Sequence, residues 1–364
     1  MARAVERGRQ RGVAKTAVPS RGKSSRPSAR FTTTSREVAQ LAGVSRSAVS
    51  RAFTPDASVS EATRRKVMAA AAKLGYQPNV IARSLITDRS RLVGLVMGEW
   101  ENPFYATVLR GFSEKLQARD YQLMLLTTAA DGSVDGAVRR LMQYRADGIV
   151  LVSCLPEPAL ARSCVRSGTR LVIVNRESGS LPAINVSTDN AGIGRQDAQL
   201  LLRAGYRRIG VVRGDPTVSI GITRTAAFKA EIAASGTARL VLDETHVIGY
   251  APGRRFIREA RQREPQLDAI FCSSDLTAFG VLDGARIDLG LAVPEQLAVV
   301  GLGDAPAASW APYALTTVKL PLEGLIDASI EALLADGPAA RHQPIVIAAE
   351  IVERTSVRRI RGGV

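Results

Sequence analysis

The stretch TSREVAQLAGVSRSAVSRAF, Thr34 to Phe53, constrains this chain more than any other segment. Thr34 followed three residues later by Glu37 is a capping box, in which each side chain satisfies a backbone donor of the other residue, and it predicts the start of a first helix. Val38, Ala39 and Leu41 supply that helix's apolar positions, and Ala39 is small enough for a second helix to cross closely. Gly43 takes the tight turn, where a left-handed backbone disfavours a residue bearing a Cβ. Ser45 caps a second helix from Arg46 to Phe53, with Val49 and Ala52 inward and Arg46, Ser47, Ser50 and Arg51 outward. A short helix held in this way fits the major groove of DNA with its N-terminal residues at the base edges. The alternative is an ordinary helical hairpin with a basic face.

Charge favours the first reading. Residues 1 to 91 carry 19 Lys and Arg against 5 Asp and Glu, whereas residues 92 to 364 carry 30 against 29, so +14 of the net +15 sits in the first quarter. Clustered cations are what phosphate neutralisation and counterion release reward. Residues 1 to 31 are rich in Arg, Ser and Pro, with Glu6 as their one acid and no apolar core of a secretory signal, and are expected to be a disordered basic tail. An organelle transit peptide and a misplaced upstream start codon are the alternatives for that segment.

After Phe53, Ser60 caps a third helix on which Val67, Ala70, Ala71 and Leu74 recur at helical spacing, and Gly75 stops it. This closes a headpiece over residues 32 to 77. Residues 78 to 90 follow as hinge and linker, and Asn79 to Leu85 is too short to hold a helix alone, because nucleation is costly and few hydrogen bonds repay it.

VAQLAGVSRSAVSR, then VSEATRRKV, then LGYQPNVIARSL, in this order, resemble the signature of the LacI/GalR regulators. The resemblance implies that Asn79 to Leu85 is a hinge helix ordered on operator DNA and paired with its dimer mate in the minor groove. It makes Leu85 the wedge into the central base step and Ala82 the close contact between paired hinges. Packing at the domain junction is the alternative for Leu85. The recognition positions become Arg46, Ser47 and Arg51, and Thr34, Ser60 and Asn79 fall on backbone-contact positions.

Beyond Arg91, short apolar runs alternate with amphipathic stretches: LVGLVM at Leu92, YQLMLLT at Tyr121, GIVLVS at Gly148, RLVIVN at Arg170, IGVVRG at Ile209, AIFCSS at Ala269 and LAVVGL at Leu297. Alternation of this kind predicts βαβ units and parallel sheets, and seven runs suit two doubly wound α/β subdomains with a ligand cleft at the strand C-terminal ends. NPFY at Asn102, NVSTDNAGIG at Asn185, GYRRIGVVRG at Gly205, Arg224, SSDLTAFG at Ser273 and VVGLGD with LTTV downstream carry the resemblance through the body. They imply a periplasmic-binding-protein-like effector domain. Its expected subdomains are 91–188 with 320–337, and 189–319 with 338–360.

Strand ends and resemblance together nominate the pocket. Phe104 and Tyr105 follow the first run, Ser153 the third, Asn175 and Arg176 the fourth, and Ser274 and Asp275 the sixth. Arg224 stands at the family's ligand-clamping position and Tyr250 where the family often places an aromatic. Phe104 and Tyr105 are alternatively plain core, Asp275 a cap of the following helix, and Arg224 a surface ion pair. An aromatic face with forked polar groups suits a sugar or a related metabolite. Where family members carry an aromatic followed by Asp, this chain has Leu302 and Gly303, with Asp304 one place later, which leans towards a sugar acid as effector. No apolar heptads follow ERTSV, so a homodimer is expected, with Trp310 nearer the subunit contact than the pocket.

Other classes fit poorly. No G-x-S-x-G elbow, P-loop, CxxC or H-E-x-x-H appears, and two histidines, His246 and His342, leave little acid–base machinery for catalysis. Cys154, Cys164 and Cys272 lie far from metal-ligand spacing, so neither zinc nor any cofactor is expected, and a reducing cytoplasm fits. No span is apolar enough to cross a membrane. An exported solute-binding protein would share the body, and the basic headpiece argues against it. The expectation is a cytoplasmic repressor governed by a small-molecule effector.

Overall fold

A computed structural model of the chain describes residues 33–54, 57–78, 89–98, 103–128, 133–335 and 343–359. The basic tail, Asn79, Ala82 and Leu85 lie outside them. Two compact units divide the chain, residues 1–83 and 84–364.

Among its described residues the first unit contains three helices: α1 Ser35–Ala42, α2 Arg46–Ala52 and α3 Glu61–Leu74. Each starts on a hydroxyl cap, Thr34, Ser45 or Ser60, and α1 and α3 each end on a left-handed glycine, Gly43 at φ 65° and Gly75 at φ 62°. Val38, Ala39, Val49, Ala52, Val67, Ala70 and Ala71 form its core. Leu41, expected to join them, is 45% exposed. At about 100° per residue the core direction of α1 falls between Val38, Ala39 and Ala42, and Leu41 points roughly a right angle away from it. Ala42 takes that place in the core, as a partly buried residue.

The second unit is built on two six-stranded sheets. The first has the order β11-β5-β4-β3-β1-β2 and is parallel throughout: β1 Leu92–Met97, β2 Gln122–Thr127, β3 Gly148–Val152, β4 Arg170–Val174, β5 Ile184–Thr188 and β11 Ile345–Ile347. The second has the order β12-β10-β9-β8-β6-β7: β6 Arg208–Val212, β7 Arg239–Glu244, β8 Ala269–Cys272, β9 Ala298–Leu302, β10 Thr316–Lys319 and β12 Glu350–Val352. Only β12 runs antiparallel in it. The helices are α4 Pro103–Gln117, α5 Asp135–Gln143, α6 Pro158–Arg166, α7 Asn190–Arg203, α8 Ser219–Ala234, α9 Tyr250–Arg263, α10 Asp275–Asp283 and α11 Leu322–Leu334.

All seven apolar runs are strands. Sequence reading missed β5, whose buried Asn185, Ser187 and Thr188 break the apolar pattern, the edge strand β7, whose three apolar residues stand between Arg239 and Asp243, and the short strands β10, β11 and β12. The chain crosses between sheets after β5, after β10 and again between β11 and β12. Residues 345–347 therefore extend the first sheet, Ile345 beside Val186, and do not join the second sheet as expected for 338–360. No described helix is long and apolar enough to cross a membrane.

Candidate DNA-reading face and ligand cleft

In the first unit, Ser45 accepts from the Ala48 amide at 3.2 Å, which fixes where α2 begins and turns Arg46, Ser47, Ser50 and Arg51 outward, all exposed. The helix is pinned at its other end by Arg64, whose Nη1 donates to the Ala52 carbonyl at 2.6 Å, and by the edge-on contact of Phe53 with Tyr76. Thr34 and Ser60, both exposed, stand at the N-termini of α1 and α3. Helix N-termini present unpaired N–H groups and a partial positive charge, which suits a DNA phosphate. Arg46, Ser47 and Arg51 thus share one solvent face on a helix whose register is locked by its cap and core.

In the second unit, loops leaving the C-terminal ends of both sheets enclose a cleft of about 230 Å³. Ser153 after β3, Asn175 and Arg176 after β4, Arg213 to Asp215 after β6, Ser273 and Ser274 after β8, and Gly303 after β9 line it, with Phe104 and Tyr105 from the first turn of α4. Both walls of the cleft are therefore built at strand C-terminal ends, where open α/β sheets place their ligand crevices. Ser153 and Asn175 continue the ladder by one amide each, to the carbonyls of Val174 and Val186, and then adopt φ of 60° and 55°. Such backbone is sparsely populated by residues with a Cβ and is characteristic of ligand sites. Phe104 and Tyr105 meet edge-on at 5.1 Å; Tyr105 is buried in the first subdomain's core, and Phe104 touches the cores of both.

Arg224, on α8, is 95% buried, with 5% of its surface exposed. Its Nη2 donates to Asn190 Oδ1 at 2.5 Å, while its Nε has no partner. Burial lowers its pKa to about 10, so it stays a cation at neutral pH. Asp197 lies within its electrostatic reach, yet both Asp197 carboxylate oxygens are buried without a hydrogen bond, and burial drives that carboxyl well above its ordinary range. Asn175 Oδ1 is likewise buried and unpartnered.

Seven of the nine nominated pocket residues line the cleft: Phe104, Tyr105, Ser153, Asn175, Arg176, Arg224 and Ser274. Tyr250 does not; it opens α9 and its hydroxyl donates to Asp283 Oδ2 at 2.7 Å, while Ile248 two residues earlier takes the place at the cleft wall. Asp275 does not either, nor does it cap α10. Its Oδ1 accepts from the Thr317 hydroxyl at 2.5 Å and its Oδ2 from the Ala305 amide at 2.6 Å, tying β8, β9 and β10 together behind the cleft. Gly301 makes that possible, because a Cβ there would stand 2.3 Å from Asp275 Oδ1. Gly303 adopts φ of 135°, and Asp304 turns away to pair with Arg354 at 2.7 Å. Trp310 is 59% exposed and takes no part in the lining. Arg213, Asp215 and Thr277 are lining residues that sequence reading passed over. Arg213 and Asp215 directly follow the fifth apolar run, so the strand-end rule could have found them.

Residues 34–79 match the family of bacterial regulatory proteins called lacI, and residues 198–357 match a periplasmic binding protein-like domain. The HTH-type transcriptional regulator CelR of Thermobifida fusca is 35% identical over 311 residues, covering 82% of this chain and 90% of that one. A solved complex of a transcriptional regulator CelR with cellobiose is 29% identical at a TM-score of 0.64, covering 89% of this chain and 99% of the other. A lac repressor dimer bound to operator and an anti-inducer has the same fold, with a TM-score of 0.78 at 19% identity over 90% of this chain and 100% of that one.

Proposed function

Because this chain belongs to the LacI family of bacterial regulatory proteins, DNA-binding regulators and not enzymes, we propose that it is a transcriptional repressor whose grip on its operator is set by a sugar or sugar-derived effector in the cleft. The observation that carries this reading is the joining, in one chain, of a recognition helix with exposed Arg46, Ser47 and Arg51 to a body whose strand ends converge on a cleft of about 230 Å³. A relative's complex with cellobiose supports a carbohydrate in such a cleft.

In this reading Arg46, Ser47 and Arg51 read base edges, while Thr34, Ser60 and Asn79 hold the sugar–phosphate backbone. Ala82 and Leu85 pair and wedge in the minor groove. Two copies act together, because a single recognition helix spans only a few bases and paired helices match a near-palindromic operator one helical turn apart. The effector meets Phe104, Tyr105, Ser153, Asn175, Arg176, Arg224 and Ser274. A regulator of transcription works beside the chromosome, in the cytoplasm.

The test selects operator sequences with the full chain from random duplexes, then titrates the selected duplex with and without cellobiose and a panel of monosaccharides and sugar acids. A palindromic site and at least a tenfold change in its affinity with one ligand are expected. DNA binding without sequence preference would overturn the reading.

A further inference from the structure

We propose that the cleft is built for an anion: a single sugar ring or chain bearing a carboxylate or phosphate, clamped by Arg176, Arg213 and Arg224. This rests on the reading of the cleft as the effector site and names the ligand's chemical class.

Three guanidinium groups and one carboxylate, Asp215, line the cleft among the described residues. Asp215 accepts from the Thr217 amide at 2.8 Å and hydroxyl at 2.7 Å, which keep it ionised, and it lies within electrostatic reach of Arg176, so its one charge offsets one of the three guanidinium groups. Arg213 donates to Asp243 at 3.2 Å, but Lys229 also bonds that carboxylate, so one anion serves two cations. Arg176 donates to the Ser153 carbonyl at 3.4 Å and Arg224 to the Asn190 amide oxygen at 2.5 Å. Neither has a carboxylate within ion-pair distance among the described residues.

The other acids near the cleft make their hydrogen bonds away from these guanidinium groups or make none. Asp275 is held by Thr317 and Ala305 behind Gly301, and Asp304 by Arg354. Asp197 is wholly buried, makes no hydrogen bond to Arg224 and is held towards its neutral form by desolvation. The wall therefore keeps an excess of positive charge in a concave, partly desolvated site, where charge acts more strongly than on an open surface.

Two polar atoms, more than nine-tenths buried by residue and without partners, complete the specification. Arg224 Nε is a donor suited to an anionic oxygen, and Asn175 Oδ1 an acceptor suited to a hydroxyl. Both residues line the cleft, with the hydroxyls of Ser153, Ser273, Ser274 and Thr277 around them. A volume of about 230 Å³ lies below the ~300–1,000 Å³ usual for drug-sized ligands, which favours one sugar unit over a disaccharide.

The experiment uses the full chain and matched ligands: glucose, gluconate, glucuronate and glucose 6-phosphate; galactose, galacturonate and galactose 6-phosphate; and cellobiose. Calorimetric titration should show at least one anion binding tenfold or more tightly than its neutral parent, and the carboxylate and phosphate arms separate the two sources of charge. Arg176→Gln should erase that preference by weakening the anion at least tenfold more than the neutral parent, and Arg213→Gln, a second half-buried position, should reduce it. A neutral sugar that binds as tightly as its anions, an absence of binding by every anion, or an equal loss of both ligand types in Arg176→Gln would overturn the proposal. If a neutral sugar binds and shifts operator affinity, the ligand class fails and the effector reading stands. If an anion binds but leaves operator affinity unchanged, the anion site stands and the effector reading fails.

Discussion

Gly194 lies against the backbone of Arg224, so closely that a Cβ on Gly194 would stand 2.1 Å from the Arg224 carbonyl oxygen and 2.9 Å from the Phe228 amide nitrogen. Helices α7 and α8 can approach this far only because position 194 has no side chain, and the approach sets where the Arg224 guanidinium enters the cleft. Gly194→Ala should force the helices apart, lowering stability by about 1–3 kcal/mol and weakening effector binding more than operator binding. Denaturant titration and ligand calorimetry check this; unchanged stability would mean the helices part freely.

Asp275 carries a pH signature. Burial raises its pKa from the ordinary 3.8 to about 6, with the Thr317 and Ala305 hydrogen bonds pulling the other way. A carboxyl raised in the folded state adds stability fully present below its unfolded pKa and lost as pH rises through the folded one. Between pH ~4 and ~6 the protein should therefore lose about 2 kcal/mol relative to Asp275→Asn. Urea titrations of both proteins across that window measure it, and parallel profiles would show that Asp275 does not titrate there.

Arg46 opens α2 on the exposed face, and base edges lie at that end of a helix in the major groove. Arg46→Ala should weaken operator binding by about 1–3 kcal/mol and relax preference at one position per half-site. A uniform loss across all operator variants would reassign Arg46 to a phosphate.

From its length alone the segment from Asn79 to Leu85 is expected to fold only when held, and effector and operator are then expected to act on each other through it. Whatever factor the ligand imposes on operator affinity, the operator must impose on ligand affinity, because coupling is reciprocal. Leu85→Ala should reduce operator affinity and DNA bending and leave ligand affinity of the DNA-free protein as it was. A loss of ligand affinity without DNA would place Leu85 in the body's core instead.

Local chemistry was readable where it acts over a few residues. The Thr34 and Ser45 caps, the left-handed Gly43 and the inward Val49 and Ala52 follow from neighbours within one turn. Strand ends were readable for the same reason, and most of the cleft followed from them. Leu41 failed because apolar character alone does not fix angle around a helix, and β5 failed because Asn185 is buried with hydrogen bonds to the Ile173 and Arg176 carbonyls, an arrangement with no apolar signature.

By itself the sequence determined the helix-turn-helix, the concentration of positive charge beside it, the alternation that builds parallel sheets, and the side chains at their C-terminal ends. Tertiary structure alone decided which of those side chains reach the cleft and which are taken by a distant partner. Tyr250 went to Asp283, Asp275 to Thr317 and Asp304 to Arg354, while Ile345–Ile347 joined a strand some 160 residues earlier in the chain. Caps and periodicity are set by bonds between near neighbours, whereas a buried carboxylate takes whichever donor the folded chain brings within about 3 Å.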